Sequence, residues 1–303
     1  MDGYTLLYSL RHLIEEDSSS GFWDSYLAYQ FINEAAFDWT IKTKCLRAEQ
    51  SITTVAEQSA YDINPDYLGL YLMDSYKKFF LKYYDGTNTS FINYENYEDL
   101  ILSNNTTSQS IPSRFAIRDK TTLPTRISST ATSSGASSGG ESTLADTSST
   151  TKFSDVYSGD FVHNTTDGST GVVVSKTSNT AIVTALFNGT NNDWTSSDAY
   201  VIQPQGRKQL IVDPPSSTAS HTITLYYLQK PAPVYSNYGM FRFDKEVNNA
   251  LVKYAAWLYK YRDKDPNYGD KWFVYYENQI KNYNRVVNNT LKKPIWGFTL
   301  KAD

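Results

Sequence analysis

Three histidines, His12, His163 and His221, and one cysteine, Cys45, are the side chains best suited to proton transfer or nucleophilic attack. The histidines lie far apart, in three different predicted elements. A Ser-His-Asp arrangement would have to assemble over long range, and no G-x-S-x-G elbow supports one. Cys45 ends an apolar helical pattern, where a thiol is inert packing. As the sole cysteine it excludes an internal disulfide and a Cys-based zinc site. There is no H-E-x-x-H, C-x-x-C or EF-hand loop. The oxygen-rich "NTTDGST" starting at Asn164 reads as a β-turn, and Glu15-Glu16-Asp17 as a solvated helix end. No P-loop or G-x-G-x-x-G is present. These residues predict no enzyme, no cofactor and no metal. A binding or assembly role is the class left standing.

The elements that would serve such a role come next. A chain of 303 residues buries a large core. Its 25 Tyr and 14 Phe suit either partly wet protein contacts or the interior of strands. From Thr121 to Gln203 there are 3 basic and 7 acidic residues, which is the whole net charge of −4. Lys245 to Lys293 holds 10 basic and 5 acidic residues, a mild bias expected on a solvated helix face. The opening "MDGYTLLYSLRHLIEED" lacks the basic and apolar regions of a signal peptide, and no apolar run is long enough to span a bilayer. The expectation is a soluble protein made in the cytoplasm, with no membrane partner.

Leu6, Leu7, Leu10, Leu13 and Ile14 predict a first helix. A longer one follows over 22–47, with Leu27, Phe31, Ala35 and Trp39 on one face and Tyr29, Ile32 and Ala36 on another. A helix apolar on two sides is covered on two sides, by its own core or by a neighbouring subunit. Short strands are predicted in "SITTVAE", "SAYDIN", "YLGLYLMDS", "KKFFLKYYDG" and "SRFAIRD", with a short helix in "NYEDLILSN". Ser128 to Thr151 is dominated by Ser, Thr, Gly and Ala and reads as a flexible linker. Phe161-Val162, Val172 to Val174, Ala181 to Val183 and Tyr200 to Ile202 then supply strands of a small barrel or sandwich. "RKQLIVDPP" and "HTITLYYLQKPAPVY" resume alternating strands. Val247, Leu251, Tyr254, Ala255 and Leu258, then Trp272, Tyr276, Ile280, Tyr283 and Val287, predict an αα-hairpin. The predicted class is α+β. A helical core, made of the long N-terminal helix and the C-terminal hairpin, carries an antiparallel β part and an inserted small all-β domain.

Several stretches then carry a resemblance. "FINEAAFDWTIKTKCL" leads to Tyr61-Asp62-Ile63-Asn64-Pro65-Asp66-Tyr67, later to Val212-Asp213-Pro214-Pro215, and then to Tyr226-Tyr227-Leu228-Gln229-Lys230-Pro231. Their order resembles the head–tail adaptor (connector) proteins of tailed bacteriophages, over roughly residues 4–120 and 205–290. The β-insert resembles small modules found within other phage structural proteins, although the family core often lacks it. The resemblance implies a core at 1–120 and 204–290, an insert at 121–203 and a docking tail at 291–303. It implies a structural virion protein at the head–tail junction, forming a ring, commonly a dodecamer, below the portal. Its partners would be the portal protein, tail or nozzle proteins and further copies of itself, with DNA passing through the lumen unread. The alternative is a carbohydrate- or receptor-binding module in the insert, with Trp194 and Tyr200 stacking on sugar rings. A tail-associated hydrolase and a nucleic-acid binder using the basic hairpin are weaker rivals.

The stretch "LKKPIWGFTLKAD" from Leu291 is the sequence's strongest docking candidate. Pro294 forbids simple helix continuation. Ile295, Trp296, Phe298 and Leu300 follow, the last three alternating so that an extended chain would show them on one face. The expectation is that they anchor on the portal or a neighbouring subunit, with Lys292 and Lys293 as rim charge.

Overall fold

The computed structural model describes residues 1–16, 23–71, 79–102, 110–262 and 266–291. The helices are α1 (Gly3–Ile14), α2 (Ser25–Thr43), α3 (Tyr97–Leu102), α4 (Lys245–Arg262) and α5 (Pro266–Leu291). The strands before the insert are β1 (Arg47–Thr53), β2 (Ala60–Asp62), β3 (Tyr67–Leu70), β4 (Phe80–Tyr84), β5 (Thr89–Tyr94) and β6 (Arg114–Asp119). Those of the insert are β7 (Ile127–Thr130), β8 (Ser142–Ala145), β9 (Phe161–Asn164), β10 (Ser169–Ser178), β11 (Ala181–Phe187) and β12 (Ala199–Gln203). β13 (Lys208–Asp213) and β14 (Thr222–Gln229) follow. The chain divides into two compact units, a helical one from Met1–Lys44 with Asn237–Asp303 and a β unit from Cys45–Ser236.

In the helical unit Asp2 caps α1 by accepting from Thr5 N at 2.8 Å, and Asp24 caps α2 by accepting from Tyr26 N at 2.9 Å. Leu6, Leu7, Leu10 and Ile14 bury one face of α1. On α2 the buried set is Ala28, Tyr29, Ile32, Ala35, Ala36 and Trp39, while Leu27 and Phe31 are half-buried. Both faces of α2 are thus covered within the unit, by α4 and α5. α4 and α5 run antiparallel, with Trp257 against Phe273 at 4.6 Å and Tyr254 against Tyr276 at 4.7 Å between ring centroids. The Tyr276 hydroxyl donates to Asp38 at 2.8 Å, tying the hairpin to α2.

The β unit holds two sheets. The first has eight strands in the order β1-β14-β4-β5-β6-β13-β2, with β3 also on β14. It is antiparallel except between β5 and β6. The edge strands β1 and β2 are brought together by Gln50, whose amide donates to Asp62 O (3.1 Å) and accepts from Asn64 N (2.9 Å). Tyr61, Leu81, Tyr83, Ile92, Phe115, Leu225 and Tyr227 are among the residues that fill its core. The second sheet has six antiparallel strands in the order β7-β12-β9-β10-β11-β8. Thr132 N donates to Ala145 O at 2.8 Å and Ser133 bridges to Ala145, so the chain continuing from β7 meets β8 and the sheet closes.

Two expectations are corrected. The protein is mostly β and has no helical core carrying a small β part. Fourteen strands in two large sheets, with the short α3, form one unit, and α1, α2, α4 and α5 form the other. The extent of the first sheet was hard to weigh because several of its strands have partners distant in sequence: β1 pairs with β14 and β2 with β13. Part of the aromatic content fills the core of the first sheet, as Tyr61, Tyr67, Tyr83, Phe115 and Tyr227. Second, Ser128 to Thr151 is not a linker, since it carries most of β7 and all of β8. Its small residues suit a tight interior: Gly135 lies so close to Thr143 that a Cβ would stand 2.2 Å from the Thr143 carbonyl oxygen.

Candidate assembly site

The residues first considered for chemistry are not brought together. His12 lies on α1 and His163 on β9. His221 leads into β14, with its Nδ1 2.5 Å from the Tyr83 hydroxyl, which lies 3.3 Å from Ser216 Oγ. This is not a nucleophile–base pair. Ser216 is buried and donates to the Thr218 carbonyl at 2.8 Å, so its proton is directed away from the imidazole. Cys45 lies just beyond α2 and is half-buried. No group of three or more His, Cys, Asp or Glu among the described residues is placed to hold a metal ion. In "NTTDGST" the Asn164 side chain accepts from Thr166 N (3.0 Å) and Asp167 N (3.2 Å) and donates to Asp198 (3.0 Å), which closes the turn on itself. Glu15 caps the C-terminus of α1 in the left-handed region, and Asp17 lies outside the described residues.

The sugar-stacking pair fails on burial. Trp194 and Tyr200 are both core residues of the inserted sheet. Trp194 Nε1 donates to Thr184 at 2.8 Å and the Tyr200 hydroxyl to Asp146 at 2.6 Å. Neither ring can lie against a ligand in solvent. The docking tail, with Lys292, Lys293, Pro294, Ile295, Trp296, Phe298 and Leu300, lies outside the described residues.

What the helical unit does present is a groove. α1 and α5 both pack on α4 and leave a channel of about 510 Å³ over it. One wall is Tyr8 and His12, one helical turn apart, their rings stacked 5° from parallel at 6.5 Å. The other is Trp272 and Tyr275 on α5. Lys253, on the floor, holds its Nζ 3.2 Å from the Tyr275 ring centroid and 5.8 Å from that of Trp272. Lys271 Nζ lies 4.7 Å over Trp272. Tyr8 is 61% exposed. Two buried phenols of the α4–α5 hairpin are shifted upward. Burial, reinforced by the carboxylates of Asp38 and Glu34, pushes Tyr254 up to about 12. Burial and Asp38 push Tyr276 higher still. The groove therefore offers aromatic faces and two ammonium groups, with Glu15 at its margin. Such a lining suits recognition of a partner surface.

The sequence reading placed Trp272 on the hairpin seam, whereas it is half-buried in the groove wall. It missed Tyr8, Lys253, Lys271 and Tyr275. The signal available was Tyr8 with His12 at i, i+4 and Trp272 with Tyr275 at i, i+3, each pair set apart from its helix's buried stripe.

No family model matches the sequence, and no curated protein is significantly similar to it. No helix among the described residues is long and apolar enough to cross a membrane.

Proposed function

We propose that this chain is a structural protein of a tailed-phage virion, a head–tail adaptor that forms a ring below the portal and joins the DNA-filled capsid to the tail. The observation that carries the reading is where the resembling motifs fall. Tyr61–Tyr67 and Tyr226–Pro231 lie far apart in sequence but meet in one network. Asp66 accepts from the Tyr227 hydroxyl (2.9 Å) and from the Gln229 amide (2.6 Å), and its carbonyl accepts from Lys230 N (2.7 Å). Val212-Asp213 ends β13, which pairs with β2 on one side and β6 on the other, and Asp213 is ion-paired with Arg114 of "SRFAIRD". Three of the four resembling stretches thus lie in one sheet, in the order the resemblance expects, and the fourth, "FINEAAFDWTIKTKCL", falls largely on α2 of the helical unit. The groove supports the same reading, since its aromatic faces and two ammonium groups suit a protein contact.

The test is attachment. Purified full-length chain is added to DNA-filled heads that lack it, and particles are imaged. The reading expects added mass in a ring at one vertex per head and retention of DNA. Absence of binding to heads and to isolated portal would overturn it.

A further inference from the structure

We propose that the aromatic–lysine groove of one copy receives the acidic, leucine-bearing face of α3 from a second copy. This contact rests on the assembly reading above and names the surfaces that would make the ring.

α3 is a ridge with two unlike sides. Leu100 is buried and packs with Ala116 and Ile211, fixing the helix to its sheet. Glu98 and Asp99 face solvent, and so do Ile101, 50% exposed, and Leu102, 87% exposed. Two adjacent large aliphatic side chains exposed on a six-residue helix form an apolar ridge whose burial in a contact is favourable. α3 contains two carboxylates and no cation. The groove is its complement, with Lys253 and Lys271 set among aromatic rings. The aliphatics of α3 match the ring faces and its carboxylates match the ammonium groups. The two surfaces belong to different parts of the chain, so the contact is heterologous, the type that builds rings. A groove of this size is an anchor within a larger interface rather than the whole of it.

Charge reversal tests the contact on the full chain. Each copy carries one groove and one α3. Lys253→Glu with Lys271→Glu therefore sets like charges against α3, and Glu98→Lys with Asp99→Lys does the same from the other side. Each double variant alone should self-associate about tenfold or more weakly, followed by sedimentation over a concentration series. An equimolar mixture of the two restores opposite charges at every contact and should recover association. Recovery requires that both variants are folded, so it also controls for damage to the Lys253–Tyr275 packing. Leu102→Ala, on an exposed side chain, should weaken association without changing the thermal melt. If the wild type associates while the reversed variants match it, or if the mixture stays dissociated, this contact is wrong and the assembly reading stands. If the wild type associates neither in solution nor on heads, both fall. Binding of a single-stranded oligonucleotide that the groove variant loses, with self-association unchanged, would also overturn the contact, in favour of a nucleic-acid groove.

Discussion

Arg207 fastens the inserted barrel to its parent sheet, and removing its partner should be costly. Its backbone belongs to the parent, because the Arg207 carbonyl accepts from Lys120 N at 2.8 Å, continuing the pairing of β6 with β13. Its side chain belongs to the insert. The guanidinium donates to both oxygens of Asp160, at 2.9 and 3.3 Å, and to the Asp155 carbonyl at 3.1 Å, and it stacks 4.8 Å over Tyr157. Asp160 also accepts from Tyr157 N at 2.9 Å and Gln205 N at 3.0 Å. The two side chains are 9% and 2% exposed, so little solvent screens the pair. Asp160→Ala strands a buried guanidinium and removes the acceptor for two backbone N–H groups. Breaking a buried pair from one side costs about 3–5 kcal/mol, whereas replacing both members by apolar residues is often near neutral. Asp160→Ala should therefore lower barrel stability by about 3–5 kcal/mol in urea, read by fluorescence of the buried Trp194. Asp160→Leu with Arg207→Met should recover the part of that loss due to the stranded guanidinium, while the two N–H groups stay unsatisfied at about 1–3 kcal/mol each. A single-variant loss below about 1 kcal/mol, or a double variant no better than the single, would refute the assignment of Arg207 as a buried latch.

Three further outcomes are expected. Trp39→Ala should destabilise the helical unit by about 3–5 kcal/mol, since the ring is 2% exposed and meets Tyr276 and Tyr283 edge-on; a loss below about 1 kcal/mol in helical circular dichroism melts would contradict this. Burial alone would raise Asp146, but hydrogen bonds from Ser148 and Tyr200 outweigh it and hold the carboxyl well below the usual range. Its stabilisation is therefore present above the unfolded value near pH ~4 and lost as pH falls further, so Asp146→Asn should be less stable at neutral pH and show a flatter acid slope in melts over this range. Replacing 121–206 by Asn-Gly should leave the eight-stranded sheet folded, because β6 and β13 are already antiparallel neighbours and a two-residue turn closes such a pair; loss of its near-ultraviolet dichroism would count against this.

Local pattern carried the helices and many of the strands, and missed what depends on distant partners. α1, α2 and the α4–α5 pair each declare themselves within twenty or so residues by apolar spacing. The alternation of Ile223, Leu225 and Tyr227 likewise places all three in the core. The Ser/Thr tract failed because composition was taken for flexibility. Ser142 of the tract is buried beside Thr184 of β11, with Thr184 Oγ1 donating to the Ser142 carbonyl at 3.0 Å and Trp194 N to Ser142 Oγ at 3.2 Å. Small hydroxyls fill a narrow interior while satisfying one another, and no window of sequence shows that. The groove was invisible for a related reason. Each helix shows its half of the aromatic set, but only the packing of α1 and α5 on the same face of α4 makes them walls of one site.

The insertion point explains how the parent sheet tolerates an entire barrel. The chain leaves at Lys120 and returns at Arg207, two residues already bonded to each other, so the added segment holds no register that the sheet needs. Closing a longer loop there costs little, because the penalty grows only with the logarithm of its length. A merely tolerated insert would need no further contact, yet this one is held at three places. Besides the Arg207 latch, Glu141 is hydrogen-bonded to Ser236, and Phe187 lies edge-on to Tyr235 at 6.4 Å. Those contacts seize the stretch that follows β14 as well as the strand that follows the insert. The barrel is therefore held in a fixed pose on the eight-stranded sheet and does not swing on a tether.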